Sequence, residues 1–131
     1  MPIPILLVDD DALYREAVTA DLEDHGFAVA AFADGPALLA ALEEHTEAEL
    51  VLVDWTLPHL SGLDLLRALR QRGCQLPVVF LTGRSGVEHT EEARAAGAVD
   101  FIDKTCSIDE LVLRLRRYIA LLQWAYDSRA M

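Results

Sequence analysis

Apolar positions along the chain fall into two kinds of stretch that alternate. Short runs rich in β-branched and aromatic residues, Ile3–Val8, Phe27–Phe32, Leu50–Val53, Val78–Leu81 and Val99–Ile102, predict strands. Ile3–Val8 and Leu50–Val53 are apolar without alternation, the pattern of strands covered on both faces. Between the runs, apolar residues recur at helical spacing. Leu13, Ala17, Val18 and Leu22 predict a helix ending near Gly26, and Pro36 suits a first helical turn followed by Leu38, Leu39 and Leu42. Leu63, Leu66 and Leu69 run to a stop at Gly73, and the stretch Gly86–Ala96 runs to Gly97. Ser107 with Glu110 three residues later is a capping-box signal, and Ile108, Leu111, Val112, Leu115 and Ile119 continue as a core-facing stripe. Strand and helix alternate five times. That order predicts an α/β chain with a parallel sheet, helices on both faces and right-handed crossovers.

The last helix has no Gly or Pro to stop it after Tyr118, so it is expected to run from Ser107 to Tyr126, about 30 Å. A strand of roughly 17–20 Å needs less cover than that. The surplus turns leave Leu121, Leu122 and Trp124 for a partner helix, from a second copy or from a linker; the alternative is that Trp124 folds back on its own domain. Residues 1–118 are therefore expected to form the domain, and 119–131 an extension, linker or dimerisation segment.

Composition narrows the class. A chain of 131 residues with 53% hydrophobic and 25% charged residues fits one globular domain. Cys74 and Cys106 form no disulfide framework and suit a reducing cytosol. No apolar run is long enough to span a bilayer, and no signal segment opens the chain, so a cytoplasmic protein is expected. Twenty-two acids against eleven Lys and Arg give a formal charge of −11. Nucleic acid is a poor direct partner for such a surface; cations and basic proteins suit it.

Ligands of an open parallel sheet bind beyond the carboxyl ends of its strands. The residues at those ends are Asp9, Asp10 and Asp11 after the first run, Asp54 after the third, Thr82 and Gly83 after the fourth, and Lys104 after the fifth. Two carboxylates about 4 Å apart repel by roughly 4 kcal/mol at an effective dielectric of 20, a cost that a hard divalent cation removes. Lys104 supplies a point charge for an anion, and Thr82 a neutral donor. A carboxylate can itself be the nucleophile and form an aspartyl-phosphate. Together they describe a site that moves a phosphoryl group onto an Asp with Mg²⁺. Singly each has a plainer reading, and Asp11, which precedes Ala12 and Leu13, is best read as a helix cap. No His pair has metal-ligand spacing, and Thr82–Gly86 misses both the P-loop and the nucleophile-elbow patterns. Trp55 reads as a partly exposed loop aromatic.

The segments Leu6-Leu7-Val8-Asp9-Asp10-Asp11, Val53-Asp54-Trp55-Thr56-Leu57-Pro58 with Ser61-Gly62, Phe80-Leu81-Thr82-Gly83, Ala96-Gly97-Ala98 and Phe101-Ile102-Asp103-Lys104 resemble bacterial response-regulator receiver domains. The resemblance spans about Pro4 to Tyr118 and implies a flavodoxin-like fold with strand order 2-1-3-4-5. It implies that Asp54 accepts a phosphoryl group from a sensor histidine kinase or phosphotransfer protein. Asp9, Asp10, Asp54 and the carbonyl of Thr56 would then hold Mg²⁺, while Thr82 and Lys104 contact the phosphoryl oxygens. Phe101 matches the aromatic switch position. Asp100, Glu110 and Arg114 resemble charged positions by which winged-helix transcription-factor receivers dimerise, although Thr90 stands where a lysine is common. A homodimer is expected, with DNA reached only through an output domain absent from this chain. Receivers usually carry Lys-Pro with a cis peptide; here Thr105 follows Lys104, so the loop is either trans or retains a cis bond costing about 2.5–4 kcal/mol. Thr56 and Arg84 occupy the positions that tune phospho-Asp hydrolysis, and neither orients water well, which favours a long-lived phospho-form.

Two other functions compete with the switch. A Mg²⁺-dependent phosphohydrolase acting through an aspartyl-phosphate commonly has a second Asp two residues after the nucleophile, where this chain has Thr56, and usually needs a second domain. A degenerate binding scaffold is disfavoured by the intact Asp10, Asp54, Thr82 and Lys104.

Overall fold

The computed structural model describes residues 1–83 and 89–130 of the chain. Five parallel strands, β1 (Ile3–Val8), β2 (Phe27–Phe32), β3 (Val51–Asp54), β4 (Val78–Thr82) and β5 (Asp100–Asp103), pair in the order 2-1-3-4-5. Among the described residues the connections carry α1 (Ala12–Asp24), α2 (Gly35–Ala41), α3 (Gly62–Gln71) and α4 (Thr90–Ala95), with a 3-10 turn at Leu42–His45, and α5 (Ile108–Ala130) follows the last strand. The expected architecture and strand order are those observed.

Pleating sorts the strand residues into two cores, because successive side chains point to opposite faces. Ile5, Leu7, Leu50, Leu52, Val79, Leu81 and Ile102 pack with α1 and α5. Leu6, Val8, Val51, Val53, Val78 and Phe80 pack with α2, α3 and α4. This two-sided burial is why β1 and β3 read as unbroken apolar runs.

Three strands differ from the expectation by a residue at one or both ends. Asp54 and Thr82 are the last residues of β3 and β4, pairing with Leu81 and Asp103 in the parallel ladder, instead of lying just beyond the strands. On β5 the strand starts at Asp100, leaving Val99 exposed. The stripe on α1 is also out of phase. Leu13 is 80% exposed and Ala17 is exposed, whereas Tyr14, Val18 and Leu22 face the core. Packing against the core sets this phase, and Asp11 caps the helix by accepting from the amides of Leu13 and Tyr14 at 3.0 and 3.2 Å.

The capping box of α5 forms by half. The Ser107 hydroxyl accepts from the Glu110 amide at 3.1 Å, but the Glu110 carboxylate accepts from Arg114 Nε at 2.9 Å and does not return to Ser107. The helix runs four residues past the expected Tyr126, and Trp124, far from folding back, is 70% exposed. Of the expected Gly86–Ala96 helix, the part before His89 lies outside the described residues, as does Arg84.

Candidate functional site: an acidic rim at the carboxyl end of the sheet

The carboxyl ends of β1, β3 and β5 carry Asp9, Asp54 and Lys104 together. Asp54 is the last residue of β3 and shares the parity of Leu52, while Asp9 and Lys104 directly follow β1 and β5. Thr82 and Phe101 have the opposite parity, that of Phe80, and belong to the α3/α4 side.

Asp9 is fully buried and Asp54 nearly so, while Asp10 is exposed at the rim. Each of these acids offers an oxygen within 4.8 Å of the other two. Lys104 Nζ lies 3.1 Å from Asp54 Oδ2 and 2.7 Å from Asp9 Oδ2, bridging the buried pair. The other Asp54 oxygen, Oδ1, accepts from the Thr56 amide at 3.0 Å. Asp9 Oδ1 accepts from the Asp11 amide at 2.9 Å, so both buried acids are aimed by the backbone of the loop that follows them.

Burial raises the Asp54 pKa to about 6, with the Asp9 charge adding to it and the Thr56 amide and Lys104 opposing it. Burial alone draws the Lys104 ammonium down, but the two carboxylates outweigh it and its pKa ends above the usual lysine value. Two carboxylates held close with a single ammonium between them leave a net negative pocket. Its donor set is oxygen only, with one arm open to solvent, which is the chemistry of a hard divalent cation that keeps several waters. The fit to Mg²⁺ is good.

The loops are shaped for this. Gly62 sits where an added Cβ would lie 2.7 Å from the Asp54 carbonyl oxygen and 2.9 Å from Phe80, so α3 approaches the end of β3 more closely than any side chain allows. His59, in the same β3–α3 loop, takes φ +66°. After β5 the Lys104–Thr105 peptide is trans. Its conformation is held by the Thr105 amide and hydroxyl, which donate to Asp103 Oδ1 at 2.8 and 2.7 Å, and by the Lys104 amide, which donates to the Thr82 carbonyl at 2.8 Å. A proline at position 105 has no N–H for the first of these bonds.

Thr56 is exposed beside Asp54, and Thr82 is buried at the end of β4. Phe101 is half-buried in an aromatic cluster that sequence reading missed. Trp55 meets Phe80 and Phe101 edge-on at 5.0 and 5.2 Å between ring centroids and stacks on His89 at 5.2 Å. Tyr14 and Arg15 were missed as well. Lys104 Nζ stands 4.6 Å over the Tyr14 ring, and Arg15 donates to the Asp9 carbonyl at 2.7 Å. The sequence signal was available: both lie in the first turn of the helix that Asp11 caps.

Asp100, Glu110 and Arg114 come together within one chain. Arg114 lies 3.3 Å from Asp100 Oδ2 and 2.9 Å from Glu110 Oε1, and the Tyr118 hydroxyl donates to the same Asp100 oxygen at 2.5 Å. Burial and this hydrogen bond push the Tyr118 phenol up to about 12. An apolar groove of about 560 Å³, lined by Leu42, Cys74, Leu76, Pro77, Ile119 and Leu122 among others, is built from the turn after α2, the α3–β4 loop and α5. It holds none of the acids of the rim, so its size does not mark the site.

Residues 5–116 match the response regulator receiver domain. The chain belongs to that family. Among its relatives, the probable transcriptional regulatory protein TcrX of Mycobacterium tuberculosis is 37% identical over 115 residues, covering 88% of this chain and 49% of that protein. The two-component response regulator PhoP of Pseudomonas aeruginosa is 37% identical over 111 residues, 85% of this receiver and 49% of PhoP. The chain spans about half the length of the curated relatives it matches. Among solved structures, NtrX from Brucella abortus superposes with a TM-score of 0.90 at 32% identity, over 98% of this receiver and 29% of NtrX. FixJ-N superposes at 0.83 and 29% identity over 92% and 95% of the two chains. No helix among the described residues is long and apolar enough to cross a membrane.

Proposed function

We propose that this receiver is a phosphorylation-dependent switch in which Asp54 takes a phosphoryl group from a sensor histidine kinase or phosphotransfer protein. The observation that carries the reading is the convergence of Asp9, Asp10 and Asp54 within 4.8 Å with Lys104 bridging Asp9 and Asp54. An Asp54 carboxylate oxygen attacks phosphorus, the bond from phosphorus to the donor's imidazole nitrogen breaks, and the nitrogen keeps the electron pair. Asp9, Asp10, Asp54 and the Thr56 carbonyl would hold Mg²⁺, which supplies charge neutralisation for the incoming phosphoryl oxygens when bound. Lys104 then releases its bond to Asp54 and takes a phosphoryl oxygen, and Thr82 donates to another. Phe101 follows Thr82, with which it shares a side of the sheet. The chain works on itself and on no separate substrate.

The acceptor domain is residues 1–118, with 119–131 as an extension leading to a partner or output domain. The face of α5 carrying Glu110, Leu113 and Arg114, with Asp100 behind it, is assigned to self-association of the winged-helix transcription-factor type, and DNA is reached only through another domain. The protein works in the cytoplasm. Incubation with acetyl phosphate and Mg²⁺ is expected to add one phosphate, seen by intact mass, and Asp54→Asn to abolish it. Undiminished labelling of that variant removes the assignment.

A further inference from the structure

Lys104 is the first residue past β5 and its side chain is long and flexible, so a single hydrogen bond to Asp54 does not keep its ammonium over the acids. Three neighbours do. Asp9 lies on one side at 2.7 Å, Asp54 on another at 3.1 Å, and the third is closed by the face of Tyr14, 4.6 Å from Nζ to the ring centroid. The negative face of an aromatic ring attracts a cation, and more strongly where both are partly removed from water. Tyr14 is partly buried against the core shared by α1 and α5, so its ring has a fixed position from which to do this. Its phenol is held neutral well above the usual tyrosine range by burial and by the nearby carboxylates, so the ring presents its face as an uncharged quadrupole.

We propose that Tyr14 is a positioning residue for phosphoryl transfer, its ring holding the Lys104 ammonium at the acidic rim so that the charge is already in place when the phosphoryl group arrives. The inference rests on the proposed function, since it gives Tyr14 a task only where Lys104 meets a phosphoryl oxygen. Position 14 needs an aromatic face, not a hydroxyl. Phenylalanine serves as well, whereas leucine fills similar space without the quadrupole.

The test uses the full chain and acetyl phosphate with Mg²⁺. Tyr14→Phe is expected to phosphorylate within about twofold of wild type. Tyr14→Leu is expected to be slower by about three- to tenfold, the scale of a lost cation–π contact. Proton NMR supplies a readout that packing alone does not move. The Lys104 ε-methylene protons are expected to show an upfield ring-current shift in wild type and in Tyr14→Phe, and to lose it in Tyr14→Leu. Equal rates in wild type and Tyr14→Leu overturn the inference, as does a Tyr14→Phe variant as slow as Tyr14→Leu, or a Lys104 without the ring-current shift. Asp54→Asn, run alongside, separates the two claims. If that variant still takes phosphate, the proposed function fails; if it does not and Tyr14→Leu is as fast as wild type, only the role of Tyr14 fails.

Discussion

Asp54 carries the clearest pH signature of any single residue. Its pKa rises from 3.8 to about 6 on folding, chiefly through burial. An acid whose pKa is raised by folding favours the folded state when protonated. Its contribution is whole below about pH 4 and disappears as the pH climbs through 6, a swing on the order of 2–3 kcal/mol. Urea unfolding of the metal-free protein is therefore expected to show stability falling between pH 4 and 6 from this group, and Asp54→Asn to flatten that fall. An identical pH profile in the two proteins would mean that Asp54 is solvated, contrary to the structure. Neighbouring acids divide in a similar way. Asp10 is a ligand candidate, and Asp11 caps α1 through the Leu13 and Tyr14 amides. Asp10→Asn is expected to prevent Mg²⁺-dependent phosphorylation with little effect on stability, and Asp11→Ala to lose about 0.5–2 kcal/mol while still accepting phosphate. Phosphorylation assays and urea melts on both variants check this, and a reversed pattern would exchange their roles. Asp10 and Asp11 are adjacent in sequence. What distinguishes them is which one faces Asp54 and which faces the helix N-terminus.

Two elements are set by close contacts. The approach of α3 to β3 depends on Gly62, where a methyl group would press on the Asp54 carbonyl and Phe80. Gly62→Ala is expected to cost about 1–3 kcal/mol in urea unfolding and to slow phosphorylation, because the strand end that shifts carries Asp54. A neutral Gly62→Ala would show that α3 has room to retreat. The other element is α5. Its inner stripe, Leu111, Val112, Leu115 and Ile119, is buried, and the apolar pattern then continues through Leu121, Leu122 and Trp124, which are 56%, 45% and 70% exposed. Removal of the chain after Tyr118 is expected to leave phosphorylation intact and weaken self-association, measured by sedimentation velocity at high concentration with and without phosphate. A 131-residue chain that stays monomeric in both conditions removes the dimer. The helix itself was legible in sequence from Ser107 and the stripe. The pairing of Glu110 with Arg114, in place of Ser107, was not, because the choice depends on where Asp100 brings the arginine.

Across the molecule, the proposed phosphoryl chemistry and its proposed readout fall to different groups of residues. Asp9, Asp54 and Lys104 cluster by charge at the rim, while Phe101 packs with Trp55 and Phe80 in the core of α2, α3 and α4. Mutations in the second group are therefore expected to uncouple without disabling. Thr82→Ala and Phe101→Ala should each still accept phosphate on Asp54, read by intact mass, while the change in association on phosphorylation shrinks. An unchanged phosphorylation-dependent association in both variants would show that the state of Asp54 reaches the surface by another route.

Five runs of β-branched and aromatic residues, the helical stripes between them and the acids, hydroxyl and ammonium at the run ends were determined by sequence alone. The physical reason is local: period, cap and strand-end position are properties of neighbours in the chain. Leu13 was misplaced because helix phase depends on what the helix packs against, and Leu13 and Tyr14 are both apolar enough to serve. The one-residue offsets at Asp54, Thr82 and Val99 were decided by ladder register between strands far apart in sequence. The trans loop at Thr105 required the Asp103 carboxylate to turn back on it. The seating of Lys104 against Tyr14, ninety positions away, and the Trp55 cluster belong to tertiary structure entirely. A ring face finds a cation, and rings find one another, only after α1, β3 and β5 have been laid side by side.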